Sequence, residues 1–203
     1  MNNLFLWIFT NRVEIGGTVF GLVYVWLSIR QNLLTWPAGI ISSLLYCWVF
    51  FDAKFYAQTG LQVYYVLISI YGWWSWHAIS AKGSEIDHLR VSKTTISLWV
   101  ILIVINFILA LIIYCITSRY TDDSIPLTDA FIASMSIIAT WMLARKKIEQ
   151  WLIWIFIDLT SAGLYLYRGL YPTVMLFMVY AVMAGIGYVE WRKETQNYHA
   201  KLR

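Results

Sequence analysis

The residue types most suited to chemistry gather in one stretch of this 203-residue chain, EQWLIWIFIDLTSAGLYLY, residues 149–167. Side chains at i, i+3, i+7, i+10 and i+14 share one face of a helix. Here those positions hold Trp151, Trp154, Asp158, Ser161 and Tyr165. Asp158 is the only acidic residue near the middle of any long apolar run. A carboxylate in hydrocarbon costs about 2.5 to 3.5 kcal/mol on insertion scales, and such groups face a bundle interior or a wet cavity. Two readings account for that cost. In one, Asp158 is protonated, or hydrogen-bonded to a Ser or Tyr of a neighbouring helix, as interhelical glue. In the other, a carboxylate flanked by indole faces holds a flat organic cation by charge pairing and by cation–π contact, the latter about 2 kcal/mol when desolvated.

A second polar face comes from Gln62, Tyr65, Ser69, Trp73 and Trp76. The amide of Gln62 suits a hydroxyl or amide of a ligand. Trp36, Trp76 and Trp191 fall at predicted helix ends, where an interfacial aromatic belt is the expected home. Glu14 and Asp129 fall in the first turns of two apolar segments. A carboxylate there stabilises a helix N-terminus by about 0.3 to 1 kcal/mol, and a pair of them also suits a mouth that attracts cations. In WPAGIISS, Pro37 is tolerated near a helix start, and Gly39, Ser42 and Ser43 make a small-residue face for close packing.

The solvent that these elements require follows from composition. Apolar residues make up 60% of the chain and charged ones 13%, against about a quarter charged in soluble domains, and mean hydropathy is +0.63. The expectation is an all-α integral membrane protein. The net charge of +4 lies in short segments between apolar runs, so it reads as a topology signal and not as a nucleic-acid surface. Cys47 and Cys115 sit inside apolar runs without a CxxC or a histidine cluster, so no metal site is expected. No Walker A pattern is present. A membrane enzyme is disfavoured because His77, His88 and His199 all lie in loops or at segment ends. The opening MNNLFLWIFTN has neither a basic n-region nor a cleavage site and is expected at the interface.

Seven runs approach the roughly 20 residues that a bilayer crossing needs, at about 13–30, 34–51, 61–79, 95–118, 127–144, 150–167 and 170–191. Lys and Arg divide four against eleven between the two sides of these spans, which puts the N-terminus outside and the C-terminus in the cytoplasm. Sliding the chain by 115 residues pairs Trp26 with Trp141, Arg30 with Arg145, Trp36 with Trp151, Tyr65 with Tyr180, Gly72 with Gly187 and Trp76 with Trp191. Glu14 falls on Asp129 in the same register. The expected architecture is therefore one transmembrane domain over 1–203: repeat 1 at about 13–79, a linker helix at about 95–118 and repeat 2 at about 127–191. The linker makes both repeats point the same way, a 3+1+3 parallel arrangement whose known examples are transporters with a site at the repeat interface.

The stretches VEIGGTVFGLVYVWLS, GLQVYYVLISIYGWWSW and LTDAFIASMSIIATWMLARKKIEQWLIWIFID resemble the bacterial nicotinamide riboside transporter (PnuC) family of vitamin transporters, from Glu14 to Trp191. Glu149, Trp151 and Trp154 are the most specific piece. The resemblance implies the 3+1+3 fold of the SWEET sugar uniporters, facilitated diffusion of a vitamin across the bacterial inner membrane, trapping by a cytoplasmic kinase, a homotrimer and no cofactor. It also implies that Trp151, Trp154 and Gln62 contact substrate. Asp158 departs from the family, whose nicotinamide riboside transporters carry Asn there. A positive ring is still the expected substrate: nicotinamide riboside first, thiamine as the alternative, a neutral sugar as the more distant one. The candidate substrate contacts are Trp151, Trp154, Asp158, Gln62, Tyr65, Ser69, Ser161 and Tyr180, with Glu14 and Asp129 at the mouth.

Overall fold

The structure, a computed structural model, describes residues 11–80, 90–120 and 125–201. The opening segment that was expected at the interface and the centre of the long polar connection lie outside these residues. The described backbone forms seven α-helices: α1 (Arg12–Ile29), α2 (Thr35–Asp52), α3 (Tyr56–Ser80), α4 (Ile96–Tyr120), α5 (Pro126–Ala144), α6 (Gln150–Tyr167) and α7 (Tyr171–Lys201). Two bounds differ from the hydropathy reading. Helix α3 starts at Tyr56 and not near 61, because Gln58 and Thr59 lower hydropathy without breaking a helix. Helix α7 continues past 191 to Lys201, because Arg192, Lys193, Glu194 and Gln196 are good helix formers once the apolar run has ended.

Among the described residues four helices are long and apolar enough to cross a membrane: α1, α4, α5 and the Tyr171–Gln196 part of α7. The other three, α2, α3 and α6, have the length but carry more polar and aromatic side chains. Those polar groups turn inward: Ser42, Ser43, Ser69, Ser75, Gln150, Asp158 and Ser161 are all buried. Two of these three helices, α3 and α6, carry all of the candidate substrate contacts except Tyr180, which lies on α7.

The chain divides into two compact units, Met1–His77 and Ala78–Arg203. In the first, α1 packs on α2. The Tyr46 ring covers Gly17, its hydroxyl lies 2.6 Å from Thr18 Oγ1, and Ser42 Oγ donates to the Gly17 carbonyl at 2.8 Å. In the second, α4 packs on α5, α5 on α6 and α6 on α7, around a core of Leu102, Ile138, Ala139, Met142, Ile153 and Ile157. Where lipid replaces water, such contacts hold helices by van der Waals fit and hydrogen bonds and not by the hydrophobic effect.

Local geometry recurs in the two units at the 115-residue offset. Helix α1 ends in a left-handed residue, Gln31 (φ 52°), and α5 ends in Lys146 (φ 49°). In each case two amides close back on the helix: Gln31 to Ser28 and Asn32 to Leu27, Lys146 to Leu143 and Lys147 to Met142. This is the Schellman cap, which satisfies carbonyls that the helix end would leave unpaired. The same cap ends α2 at Lys54 (φ 62°) and α6 at Gly169 (φ 72°).

Candidate functional site

Helix α6 leaves the α5–α6 turn and places a tryptophan in its first turn. Trp151 is 3% exposed and meets Trp191 of α7 edge to face, ring centroids 5.5 Å apart at 89°. A Cβ on Gly187 would lie 2.6 Å from Trp151 Cε2, so only glycine admits the indole there. In the first unit Trp36 meets Trp76 at 5.1 Å and 85° and fills the space beside Gly72 in the same way. Trp36, Trp76 and Trp191 are therefore not belt residues, since all three are buried, Trp36 and Trp191 completely. Interlocking an indole, a glycine and a second indole buries more contact than an interfacial position would, and an edge-to-face pair adds about 0.5 to 1.5 kcal/mol.

Two turns further along α6, Asp158 and Ser161 sit on the buried face, each 5% exposed. Neither makes a hydrogen bond or ion pair with another described residue, whereas the neighbouring Ser134, Ser136 and Thr140 hydroxyls of α5 all donate to carbonyls of their own helix. Of the two forms of the glue reading of Asp158, the one bonded to a Ser or Tyr finds no such partner among the described residues. At the equivalent place in the first unit stands Ser43, also buried. The second unit has thus put a carboxylate where the first has a hydroxyl.

Trp154 is half-buried and packs against the Leu102–Ile157 core cluster, to which Ala139 belongs. The first unit has the reverse arrangement: the large ring is Tyr24 on α1, and the small residue is Gly39 on α2. Tyr24 aligns with Ala139 and Gly39 with Trp154, so the large ring sits on α1 in one unit and on α6 in the other. Trp154 therefore has a packing role as well as a ring face. Tyr165 of the same face stacks on Phe177 of α7, centroids 5.3 Å apart, and Tyr180 reaches Phe177 at 6.4 Å.

The first-unit candidates lie on α3. Gln62 and Tyr65 are half-buried, and Tyr65 lies 5.7 Å from the Tyr64 ring. Ser69 is 3% exposed and faces Gly39 of α2. Trp73 is exposed. Glu14 is exposed in the first turn of α1 and Asp129 half-buried in the first turn of α5.

Two groups escaped the sequence reading. The Gln150 side chain is fully buried with neither amide atom partnered, and the Trp151 and Trp36 indole N–H groups and the Thr35 hydroxyl share that condition. Gln150 aligns with Thr35 and Trp151 with Trp36, so the start of α6 repeats the start of α2. The other is the bond made by Glu149, which the sequence reading placed in a motif but gave no partner. Its carboxylate lies outside the buried face and accepts hydrogen bonds from Thr94.

Long apolar helices and, within the second unit, a buried carboxylate with no partner among the described residues fit the class of helical membrane transporters. The sequence profile of the nicotinamide mononucleotide transporter family matches residues 11–193, and the chain belongs to that family. Its relatives include the nicotinamide riboside transporter PnuC of Escherichia coli, 23% identical over 201 residues that cover 88% of this chain and 84% of the relative. The riboflavin/roseoflavin transporter RibM of Streptomyces davaonensis is 24% identical over 176 residues, covering 86% and 82%. The crystal structure of the vitamin B3 transporter PnuC shares the fold, with a TM-score of 0.75 at 18% identity over 97% of this chain and 87% of that one. These relatives are transporters, not enzymes.

Proposed function

We propose that this protein carries a small cationic vitamin precursor, nicotinamide riboside first, across the bacterial inner membrane by facilitated diffusion. The observation that carries the reading is Asp158: a buried carboxylate with no partner among the described residues beside the equally unpartnered Ser161, on a face that also holds Trp154. A buried carboxylate pairs with a positive ring and offers little to a neutral flavin or sugar. Trp154 supplies a ring face. Trp151 holds α6 in place through Gly187 and presents an unpartnered indole N–H. Gln62, Tyr65, Ser69 and Tyr180 are further candidate contacts, and Glu14 and Asp129 serve the outer mouth.

All seven helices cross the membrane in this reading, as a 3+1+3 parallel repeat forming one transporter domain. The recurring caps and the tryptophan–glycine pairs at one offset support it. The four-to-eleven division of Lys and Arg supports an outside N-terminus and a cytoplasmic C-terminus. Trapping by a cytoplasmic kinase and a homotrimer rest on the family resemblance. Thiamine is the second reading, favoured by the same carboxylate, because it pairs a thiazolium cation with an aminopyrimidine that Asp158 can also bond. Calorimetric titration of the purified protein with nicotinamide riboside, thiamine and riboflavin, followed by gradient-free equilibration of the bound vitamin in proteoliposomes, tests both. Binding of riboflavin in preference to either cation would overturn the substrate class, and accumulation driven by an imposed pH or Na⁺ gradient would overturn facilitated diffusion.

A further inference from the structure

The linker segment that leads into α4 is tied to the turn that launches α6. Ser92 N donates to the Lys146 carbonyl and Ile148 N to the Ser92 carbonyl, both at 3.1 Å, a short parallel bridge. Lys147 Nζ donates to Ser92 Oγ at 2.9 Å. Next along, the Glu149 carboxylate accepts from Thr94 N at 3.1 and 3.0 Å and from Thr94 Oγ1 at 2.7 Å. Glu149 occupies the N-cap position of α6 yet makes no side-chain cap bond to its own helix. A side chain at that position ordinarily serves its own helix, and this one is committed to another segment.

The matching turn of the first unit has no carboxylate at the position of Glu149. There Leu34 aligns with Glu149 and Asn32 with Lys147, and Leu34 N donates to Asn32 Oδ1 at 2.9 Å, so the turn closes on itself. The tie thus belongs to the unit whose second helix carries the buried carboxylate. Glu149 also lies too far from Asp158 to share its ligand: nine residues along a helix is about 13 Å.

We propose that Glu149 and Thr94 form a clamp that fixes the placement of α6, and through it the placement of Trp154, Asp158 and Ser161. Glu149 is then a positioning residue for substrate binding, although it belongs to the most family-specific stretch of sequence. The substrate part of this proposal rests on the transport reading above, and the clamp itself does not. Charge-assisted bonds from two donor atoms to one carboxylate are the strong kind, and a helix held at its first turn carries its later residues with it.

The test uses the full chain in detergent or nanodiscs, reading amide hydrogen exchange over residues 146–156 and calorimetric binding of nicotinamide riboside and thiamine. Glu149→Ala, which removes the acceptor, is expected to speed exchange and weaken cation binding about tenfold. Thr94→Val, which keeps the backbone N–H bond, should act in the same direction but less. The double variant should be no worse than Glu149→Ala, because both changes act on one shared interaction. Thr94→Ser keeps both donors and should match the wild type. The cation-over-neutral preference should stay unchanged, because the charge that sets it is Asp158. Unchanged exchange in the two single variants, faster exchange with unchanged binding, Thr94→Ser behaving like Thr94→Val, or effects that multiply in the double variant would each overturn the clamp. A wild-type protein that binds neither cation would sink the substrate reading, while exchange would still decide whether the clamp holds α6.

Discussion

Trp151 rests on Gly187, so closely that a methyl group on the glycine would stand 2.6 Å from the indole. Trp36 and Gly72 repeat the contact in the other unit. Each pair closes one α-helix on another and is backed by a second indole, Trp191 or Trp76. The Trp36 and Trp151 indoles are held by contact on their faces and edges, and their N–H groups have no hydrogen-bond partner among the described residues.

Alanine at either glycine should therefore act by overpacking. The ring has to move into space already filled by the second indole, a rearrangement that costs about 1 to 3 kcal/mol. Gly187→Ala and Gly72→Ala should both lower the thermal midpoint in detergent, whereas Gly60→Ala, where an added Cβ meets nothing within 4 Å, should not. A Gly187→Ala protein that melts with the wild type would show that the contact is not needed.

The recurrence of Trp36, Gly72 and Trp76 at Trp151, Gly187 and Trp191 was visible in the sequence, and so were seven helices and the polar face of α6. The burial of those tryptophans was not. An indole near a helix end has two homes, the interface and the interior, and hydropathy does not separate them. The separating signal is the glycine that moves with the tryptophan at the same offset, since a belt residue needs no glycine opposite. Glu149 was readable as part of a motif but not as a tie, because its partner Thr94 lies 55 residues away in sequence and nothing in the spacing links the two. The exchange of Tyr24 and Gly39 for Ala139 and Trp154 was hidden for another reason. Neither aligned pair looks alike, and only the packing shows that each unit sets one large ring where the other has a small residue.

Three of the four Schellman caps place a residue other than glycine in the left-handed region: Gln31, Lys54 and Lys146. That conformation costs an L residue about 1 kcal/mol more than glycine. Lys54→Gly should raise stability by about that amount, and Gly169→Lys, at the aligned cap, should lower it by a similar amount. Urea or thermal unfolding of the two variants checks the pair. Equal shifts in the same direction would contradict the cap geometry.

Lys146 also titrates unusually. Burial in the α5–α6 turn pushes its ammonium below the ordinary 10.5, with Glu194 acting in the opposite direction. The folded protein then holds its proton less tightly than the unfolded chain does. Between the folded value and 10.5 the unfolded state binds more protons, so this group makes stability rise with pH across that window, and below the window its cost is constant. Lys146→Gln should remove that rise. Thermal midpoints of wild type and variant, measured from neutral to alkaline pH, should converge as the lysine deprotonates. Parallel curves would contradict the burial effect.

The carboxylate at Asp158 makes a prediction with two opposite signs. With no hydrogen-bond or ionic partner among the described residues and 5% exposure, it is a burden on the empty protein, and a binding site that stores such a burden trades stability for function. Asp158→Asn keeps the shape and hydrogen-bonding capacity and removes the charge. The empty variant should melt higher than the wild type, yet bind nicotinamide riboside or thiamine more weakly by about 1 to 3 kcal/mol, the range for hydrogen bonds to charged groups. Neutral analogues should lose little. Trp154→Leu should weaken the cation as well but lower the melting point, because that indole also packs on the α5 core. Replacing the exposed Trp74 by Leu should do neither. Calorimetry and thermal unfolding on these three variants separate the roles: an Asp158→Asn protein that binds the cation as tightly as wild type would leave the carboxylate without a part in recognition, and one that also melts lower would make it a structural group whose partner is a bound water.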